Sequence, residues 1–391
     1  MREHWLLDPT ITYLNHGSFG ATPKAVLMRQ ETLRAQLERE PVRFMVRELE
    51  PLLDDARAVL AEFVGADPAG LAFVPNATAG VNAVLRSLDL DKHDELIVTS
   101  HEYNASRNAL EYVAGLAGAK VIPIDIPFPI ASADQVVERV MARVTDRTRL
   151  LLIDHVTSQT ALIFPVAVII AELKQRGIDT LIDGAHAPGM LPLDLDTLGA
   201  TYYTGNLHKW VCAPKGAAFL YVAPSRRLGI RPVVISHGAN STRSDRSRFH
   251  LEFDWPGTLD PTAWLSVPEA LRFMGEAVVG GWPEVMRRNR DLALRARDLL
   301  CQRLGIDSPA PDDMIGSMAA MPLPDGAAYV APSLYGDPLQ DALLFEHSIE
   351  VPIVPWPQQP KRVLRVSAQL YNSIDDYAKL ADALEALLPD F

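Results

Sequence analysis

Two stretches decide how this chain is read: Thr180-Leu181-Ile182-Asp183-Gly184-Ala185-His186-Ala187-Pro188-Gly189 and, soon after, Gly205-Asn206-Leu207-His208-Lys209-Trp210. In the first, a short apolar run ends on an acid and a glycine, as a buried strand does where it leaves a sheet. In the second, a lysine set between His208 and Trp210 follows the next apolar run. Working outward, short apolar runs alternate with helical patterns, the texture of βαβ units around a mostly parallel sheet. Strands are expected at 71–74, 96–99, 120–124, 150–154, 180–183, 200–204 and 216–222. Between them, Val81, Val84, Leu85 and Leu88 mark one helix by their i, i+3, i+4, i+7 spacing. Residues 105–116 read as a second. Ser132 and Gln135 have capping-box spacing ahead of Val136, Val137, Val140 and Met141. Residues 166–176 fit a crossover helix that stops at Gly177.

Beyond about Pro268 the texture changes. Helices are expected at 269–274 and 287–304, then a Pro- and Gly-rich stretch at 308–338, and a last helix at 375–388. The whole reads as an α/β protein: a large domain at 21–267, and a small α+β domain from 1–20 with 268–391. A chain of 391 residues is long enough for two such cores. It is 48% hydrophobic and 22% charged, ordinary for a soluble globular protein. A net charge of −12 argues against a nucleic-acid partner, since no basic excess exists to displace phosphate counterions. Apolar runs are too short or too interrupted to span a bilayer, and no membrane association is expected. The start, Met1-Arg2-Glu3-His4-Trp5, is unlike a secretion signal. Two distant cysteines, Cys212 and Cys301, offer neither a disulfide framework nor a metal cluster, so a cytoplasmic protein with reduced thiols is expected.

Ligands of open α/β sheets gather at the carboxyl ends of strands. Asp183 and Lys209 both fall there. A lysine amine that holds an aldehyde and a carboxylate that holds a ring nitrogen are what pyridoxal phosphate (PLP) requires. Asn76-Ala77-Thr78-Ala79-Gly80 stands between a strand and a helix, where the helix N-terminus and the Thr78 hydroxyl make a phosphate cup; read alone, Thr78 is an ordinary helix cap. His208 and Asn206 are further phosphate donors, and His186 is within reach of the cofactor's phenolic oxygen. In Ser100-His101-Glu102-Tyr103-Asn104, His101 and Tyr103 compete as the ring that stacks on the pyridine. Arg365, in Arg362-Val363-Leu364-Arg365-Val366-Ser367, is either the grip on a substrate carboxylate or a solvated strand-face arginine.

These residues and their company resemble the class V aminotransferase group of fold-type I PLP enzymes, most closely its isopenicillin N epimerase-like branch. The resemblance runs from Leu7-Asp8-Pro9 and Asn15-His16-Gly17-Ser18-Phe19-Gly20 through Glu40-Pro41, His101-Glu102-Tyr103 and the two stretches above. It continues to Trp255-Pro256-Gly257-Thr258, Arg365-Val366-Ser367 and Tyr371-Asn372. It implies the fold-type I architecture, a large domain on a seven-stranded sheet with a small α+β domain, and PLP as cofactor. It implies Lys209 as the Schiff-base lysine, Asp183 at the ring nitrogen and Tyr103 as the stacking ring. Thr78, Ala79, Asn206 and His208 hold the phosphate by the same token, and Ser158 and His186 approach the ring oxygen. Asn15 and Arg365 take the carboxylate of an amino-acid substrate. Thr258 reaches the phosphate of a neighbouring subunit, which implies a homodimer with shared sites.

The resemblance favours an epimerase-like enzyme acting at Cα of an amino acid or amino-acid-derived substrate, with a β-elimination C–S lyase acting on a cysteine-derived substrate, or an aminotransferase, as alternatives. A PLP-fold protein that binds without turnover has no need of the Schiff-base amine. A persulfide-forming desulfurase is disfavoured, because no cysteine lies between Cys301 and Phe391. Arg243, Arg246 and Arg248 make residues 236–250 basic for an acidic chain; the reading here is a solvated or interface loop, with an acidic substrate as the alternative.

Overall fold

Alternate residues of the central strands fall into two different apolar clusters. Leu71, Phe73, Ile97, Leu151, Ile153 and Ile182 face one way, and Ala72, Val74, Leu96, Val98, Leu150, Leu152 and Leu181 face the other. A sheet buried on both faces has no need of a polar side, which is why these runs are continuously apolar. The computed structural model describes residues 1–326 and 336–390. Its main sheet contains β1 (Leu71–Val74), β2 (Glu95–Thr99), β3 (Lys120–Ile124), β4 (Thr148–Asp154), β5 (Asp179–Asp183), β6 (Tyr202–Asn206) and β7 (Ala218–Val222). They lie in the order β1-β7-β6-β5-β4-β2-β3, all parallel except β7, which is antiparallel to both neighbours. This is the seven-stranded, mostly parallel sheet expected.

Several boundaries move. The sixth strand spans Tyr202–Asn206 rather than 200–204, so Asn206 lies within it, while the seventh starts at Ala218. The expected capping box at Ser132 is absent: the helix Asp134–Met141 has Ala133 at its N-cap, and the Gln135 side chain accepts instead from the Ala131 N–H at 3.1 Å. Helix Gly281–Leu304 begins six residues before the periodicity that announced it, since Gly281-Trp282-Pro283 carries no repeating apolar pattern. Part of the Pro- and Gly-rich stretch at 308–338 is a strand, β8 (Met318–Leu323), and residues 327–335 lie outside the described residues. Alanine, methionine and proline are weak strand formers, so Met318-Ala319-Ala320-Met321-Pro322 reads poorly in sequence. What makes it a strand is its neighbour: β9 (Ile353–Pro355), β10 (Arg362–Ser367) and β8 form an antiparallel sheet in the order β9-β10-β8.

The chain's start joins this second sheet region. Thr12–Tyr13 pairs in parallel with Ile349–Glu350, and the Leu14 carbonyl accepts from Ser367 N. Among the described residues no helix is long and apolar enough to cross a membrane. The basic loop is matched by acids: Arg243 pairs with Glu50 at 2.6 Å, Arg246 with Asp54 at 2.7 Å and Arg248 with Glu252 at 2.5 Å. Its charge is neutralised within the chain, so no unmatched basic face is left for an acidic substrate. The last helix, Ile374–Leu387, starts on a reciprocal capping box between Ser373 and Asp376 and buries Tyr377, Leu380 and Leu384. Replacing Ser373 with Ala removes one orphan-donor partner, and a loss of about 1 kcal/mol is expected in urea unfolding; an unchanged midpoint would show that the cap contributes nothing.

Candidate active site

The acids come first. In the parallel register Asp154 stands directly beside Asp183, at the carboxyl ends of β4 and β5 and on the same face as Leu152 and Leu181. Asp183 is buried with both oxygens satisfied: Ser106 Oγ donates to Oδ2 at 2.8 Å and Ala185 N–H to Oδ1 at 3.0 Å. Burial pushes its pKa up, and these two donors and the nearby Lys209 charge pull it back.

Lys209 follows β6 in a loop pinned by backbone contact on two sides. Gly20 has φ 71°, and a Cβ there would lie 2.0 Å from the His208 carbonyl oxygen. Gly189 has φ 83°, and its Cβ would lie 2.6 Å from the Trp210 carbonyl carbon. Both positions need glycine, for conformation and for close approach alike. Behind the loop, the buried His16 ring joins the Lys209 carbonyl at 3.0 Å to the Tyr371 hydroxyl at 2.8 Å. The N-terminal Asn-His-Gly-Ser-Phe-Gly element is therefore structural support for the loop that carries the lysine.

The Lys209 amine lies 3.0 Å from His186 Nε2. Trp210 Nε1–H donates to His186 Nδ1 at 3.5 Å, and since indole can only donate, Nδ1 is an acceptor. Burial, then the Lys209 charge, holds His186 well below its usual pKa, so the ring is neutral. The neutral ring then carries its proton on Nε2, facing the amine. Lys209 itself is lowered to about 7, by burial first and then by the Arg365 charge, with Asp183 and Asp154 pulling the other way. Near neutral pH a large share of this amine is free base, the nucleophilic form.

Arg365 is buried, which settles its two sequence readings against the solvated one. Its guanidinium donates to the Ser158 carbonyl at 2.7 Å, to Ser18 Oγ at 2.8 Å and to Asn15 Oδ1 at 3.4 Å, while Asn15 Nδ2 donates to Glu350. Asn15, Ser158 and Arg365 thus form one cluster. Of the two competing rings, His101 is fully buried, with Nδ1 2.6 Å from Thr160 Oγ1 and Nε2 3.0 Å from the Ile126 carbonyl. A ring with no exposed face cannot stack on a ligand. Tyr103 is 38% exposed, at the N-cap of helix Asn104–Ala117.

At the helix Ala77–Leu85, two N-terminal donors are already engaged: Ala77 N–H by Asn206 Oδ1 and Ala79 N–H by Asn76 Oδ1, each at 2.9 Å. A phosphate at Ala79 has to compete with the Asn76 cap. The cap itself is Asn76, not Thr78, which removes the bland reading of Thr78. Asn206 keeps its amide N–H groups for donation. His208 Nδ1 lies 3.3 Å from the Ala217 carbonyl and its pKa is lowered to about 4, by burial and then Lys209. The neutral ring, with its proton on Nδ1, offers only a lone pair at Nε2. Donating to a phosphate from Nε2 requires the ring to take up a second proton, which a nearby anion favours. Thr258 lines the same depression as Asn76, Thr78 and Ala79 of its own chain.

Sequence reading missed Asp154, Glu102, Ser106, His16 and Trp210. For Asp154 the signal was present: it ends an apolar run as Asp183 does. Both cysteines are buried, and burial pushes the Cys212 thiol up to about 12, so neither supplies a nucleophilic thiolate.

The class V aminotransferase model matches residues 13–333. An isopenicillin N epimerase of Streptomyces clavuligerus is 36% identical over 99% of this chain and 97% of its own length. A probable chloroplastic L-cysteine desulfhydrase of Arabidopsis thaliana is 30% identical over 98% of this chain and 84% of its own. Among solved structures, a cysteine desulfurase of Escherichia coli superposes with a TM-score of 0.79 at 22% identity, covering 100% of this chain and 98% of that one.

The pKa of the lysine gives a direct test. In the apoprotein, amine labelling of Lys209 is expected to rise with pH around a midpoint near 7, against roughly 10.4 for an ordinary lysine. Arg365→Leu removes a repelling cation and is expected to move that midpoint upward, read by labelling rate and mass spectrometry. An unmoved midpoint would separate Arg365 from the amine.

Proposed function

The chain belongs to the class V aminotransferase family of PLP-dependent enzymes, and from that membership we propose that it acts at Cα of an amino acid or amino-acid-derived substrate as an epimerase. The observation that carries the reading is the near full-length similarity to isopenicillin N epimerases from Streptomyces clavuligerus and Amycolatopsis lactamdurans. When bound, the cofactor supplies an electron sink that weakens the bonds at Cα. The residues present fit it: a buried amine partly in its free-base form, a buried acid held by two donors, and a helix N-terminus at a strand end.

In this reading Lys209 holds the cofactor and Asp183 its ring nitrogen. Tyr103 stacks on the ring, and Thr78, Ala79, Asn206 and His208 hold the phosphate. Ser158 and His186 approach the ring oxygen. Arg365, positioned with Asn15, grips the substrate carboxylate by two guanidinium hydrogen bonds and so fixes which Cα bond faces the lysine. A Lys209 amine with a pKa near 7 can take a proton from one face of Cα at neutral pH, and inversion then needs a proton delivered to the opposite face. A second reading, β-elimination from a cysteine-derived substrate, is supported by the desulfhydrase relative and begins with the same proton removal. Residues 21–267 as cofactor domain, with 1–20 and 268–391 as a smaller one, is part of the proposal, supported by the pairing of Thr12–Tyr13 with Ile349–Glu350. So is a cytoplasmic location, in keeping with two unpaired cysteines; finding the protein in the secreted fraction would remove that part.

Incubation with L-amino acids and L-cysteine conjugates in deuterated water separates the reactions. Deuterium at Cα with a retained skeleton and a growing D-enantiomer is expected; pyruvate with ammonia and no D-product would replace the epimerase by the lyase. A keto acid formed only with an amino acceptor would make it an aminotransferase. Lys209→Ala is expected to abolish turnover and to remove the lysine Schiff-base band from the visible spectrum of the cofactor-bound protein.

We also propose a homodimer in which Thr258 completes the phosphate site of the neighbouring subunit. Exposed Val233, Val234 and Ile235 beside the depression that Thr258 lines support that surface. Sedimentation is expected to give a dimer at micromolar concentration. A monomer with full cofactor affinity would end the shared-site proposal.

A further inference from the structure

Three carboxyl groups meet at the ends of three adjacent strands. Asp183 ends β5, Asp154 ends β4, and Glu102 lies in the turn just after β2, next in the sheet. All three are buried, with exposures of 1%, 3% and 3%, and each offers an oxygen within 4.8 Å of the others. Their hydrogen bonding is unequal. Asp183 accepts from Ser106 and Ala185, whereas neither Glu102 oxygen nor Asp154 Oδ2 has a donor in the described structure.

Three buried like charges this close cannot all persist. A buried carboxylate without donors loses hydration and gains nothing in return, and like charges nearby raise its pKa further. The charged groups acting on the pair are few: Asp183 on both, and Lys209 on Asp154. Lys209 favours an anion at Asp154, and the Tyr103 backbone N–H bears on Glu102 without completing a hydrogen bond of normal geometry. Burial is the largest influence on both members and pushes both well up. A proton on Glu102 neutralises that carboxyl and supplies the donor that Asp154 lacks, with Glu102 donating and Asp154 accepting.

We propose that Glu102 and Asp154 share one proton in a direct carboxyl–carboxylate hydrogen bond, so that the row carries two negative charges and Asp183 keeps its own. The pair is a positioning element. It ties the turn bearing Tyr103 to the strand beside Asp183, and it sets the negative potential in which Asp183 acts. The second part rests on the proposed role of Asp183 at the cofactor's ring nitrogen; the shared proton does not.

Two measurements on the holoenzyme separate these parts. Infrared difference spectra at about pH 7.5 are expected to contain a protonated-carboxyl C=O stretch that vanishes in Glu102→Gln, whose neutral amide replaces a neutral acid. No lost band would overturn the shared proton, as would a stoichiometric divalent cation present in the wild type and absent from that variant. The second readout is the pH midpoint of the cofactor's visible absorbance. Glu102→Gln is expected to leave it in place. Asp154→Asn, nearly isosteric but uncharged, is expected to lower it by roughly one pH unit, because an anion that stabilised the protonated form is gone. If the band is present but the midpoint stays unmoved in Asp154→Asn, the pair is only structural and its electrostatic role is overturned.

Thermal unfolding checks the sign independently. A carboxyl whose pKa is higher folded than unfolded binds more protons in the native state, so its contribution to stability falls as pH rises above its unfolded value of about 4.5. Between about pH 5.5 and 8 the wild-type Tm is expected to fall more than that of Glu102→Gln. Equal slopes would overturn the protonated pair.

Discussion

The loop carrying Lys209 is held by backbone, and the rest of the site depends on that grip. Gly20 meets the His208 carbonyl on one side and Gly189 meets the Trp210 backbone on the other, both in conformations with positive φ. His16 closes a third side through the Lys209 carbonyl and ties it to Tyr371. Two segments, residues 16–20 and the turn at Gly189, thus converge on one loop, with Tyr371 behind the first. A side chain as long as lysine has ample freedom of its own, so fixing its Cα is the economical way to fix where its amine can go.

Charge at the site follows from what is buried with that amine. Arg365 raises the positive potential around Lys209, and Asp183 and Asp154 lower it. Burial opposes the ammonium form and decides the balance, leaving an amine that exchanges protons near neutrality. His186 contributes no charge, because burial keeps its ring neutral, and Trp210 directs its proton toward the lysine. Such a site suits the proton removal with which the proposed epimerase and C–S lyase reactions both begin, so the two readings share nearly every residue.

Local pattern in the chain was a good guide where one face or one run carried the information. The seven strands stood out because both sheet faces are buried and the runs are wholly apolar. Asp183 and Lys209 stood out because each interrupts or follows such a run. Strand Met318–Leu323 did not, because its alanines and methionines become a strand only through pairing with Arg362–Ser367. Asn76 was overlooked as the cap of Ala77–Leu85 because Thr78 is an equally good capping type two residues later.

From the sequence by itself came the sheet, its strand-end chemistry and the cofactor, since periodicity and residue type at a strand end are short-range properties. Only the tertiary structure buried His101 while leaving Tyr103 exposed, buried Arg365 against Ser158 and Ser18, matched the basic loop to its acids, and set Glu102 and Asp154 beside Asp183. Those outcomes rest on contacts between residues tens to hundreds of positions apart. Exposure and protonation depend on what packs around a group, and the spacing of residues along a chain carries no record of that.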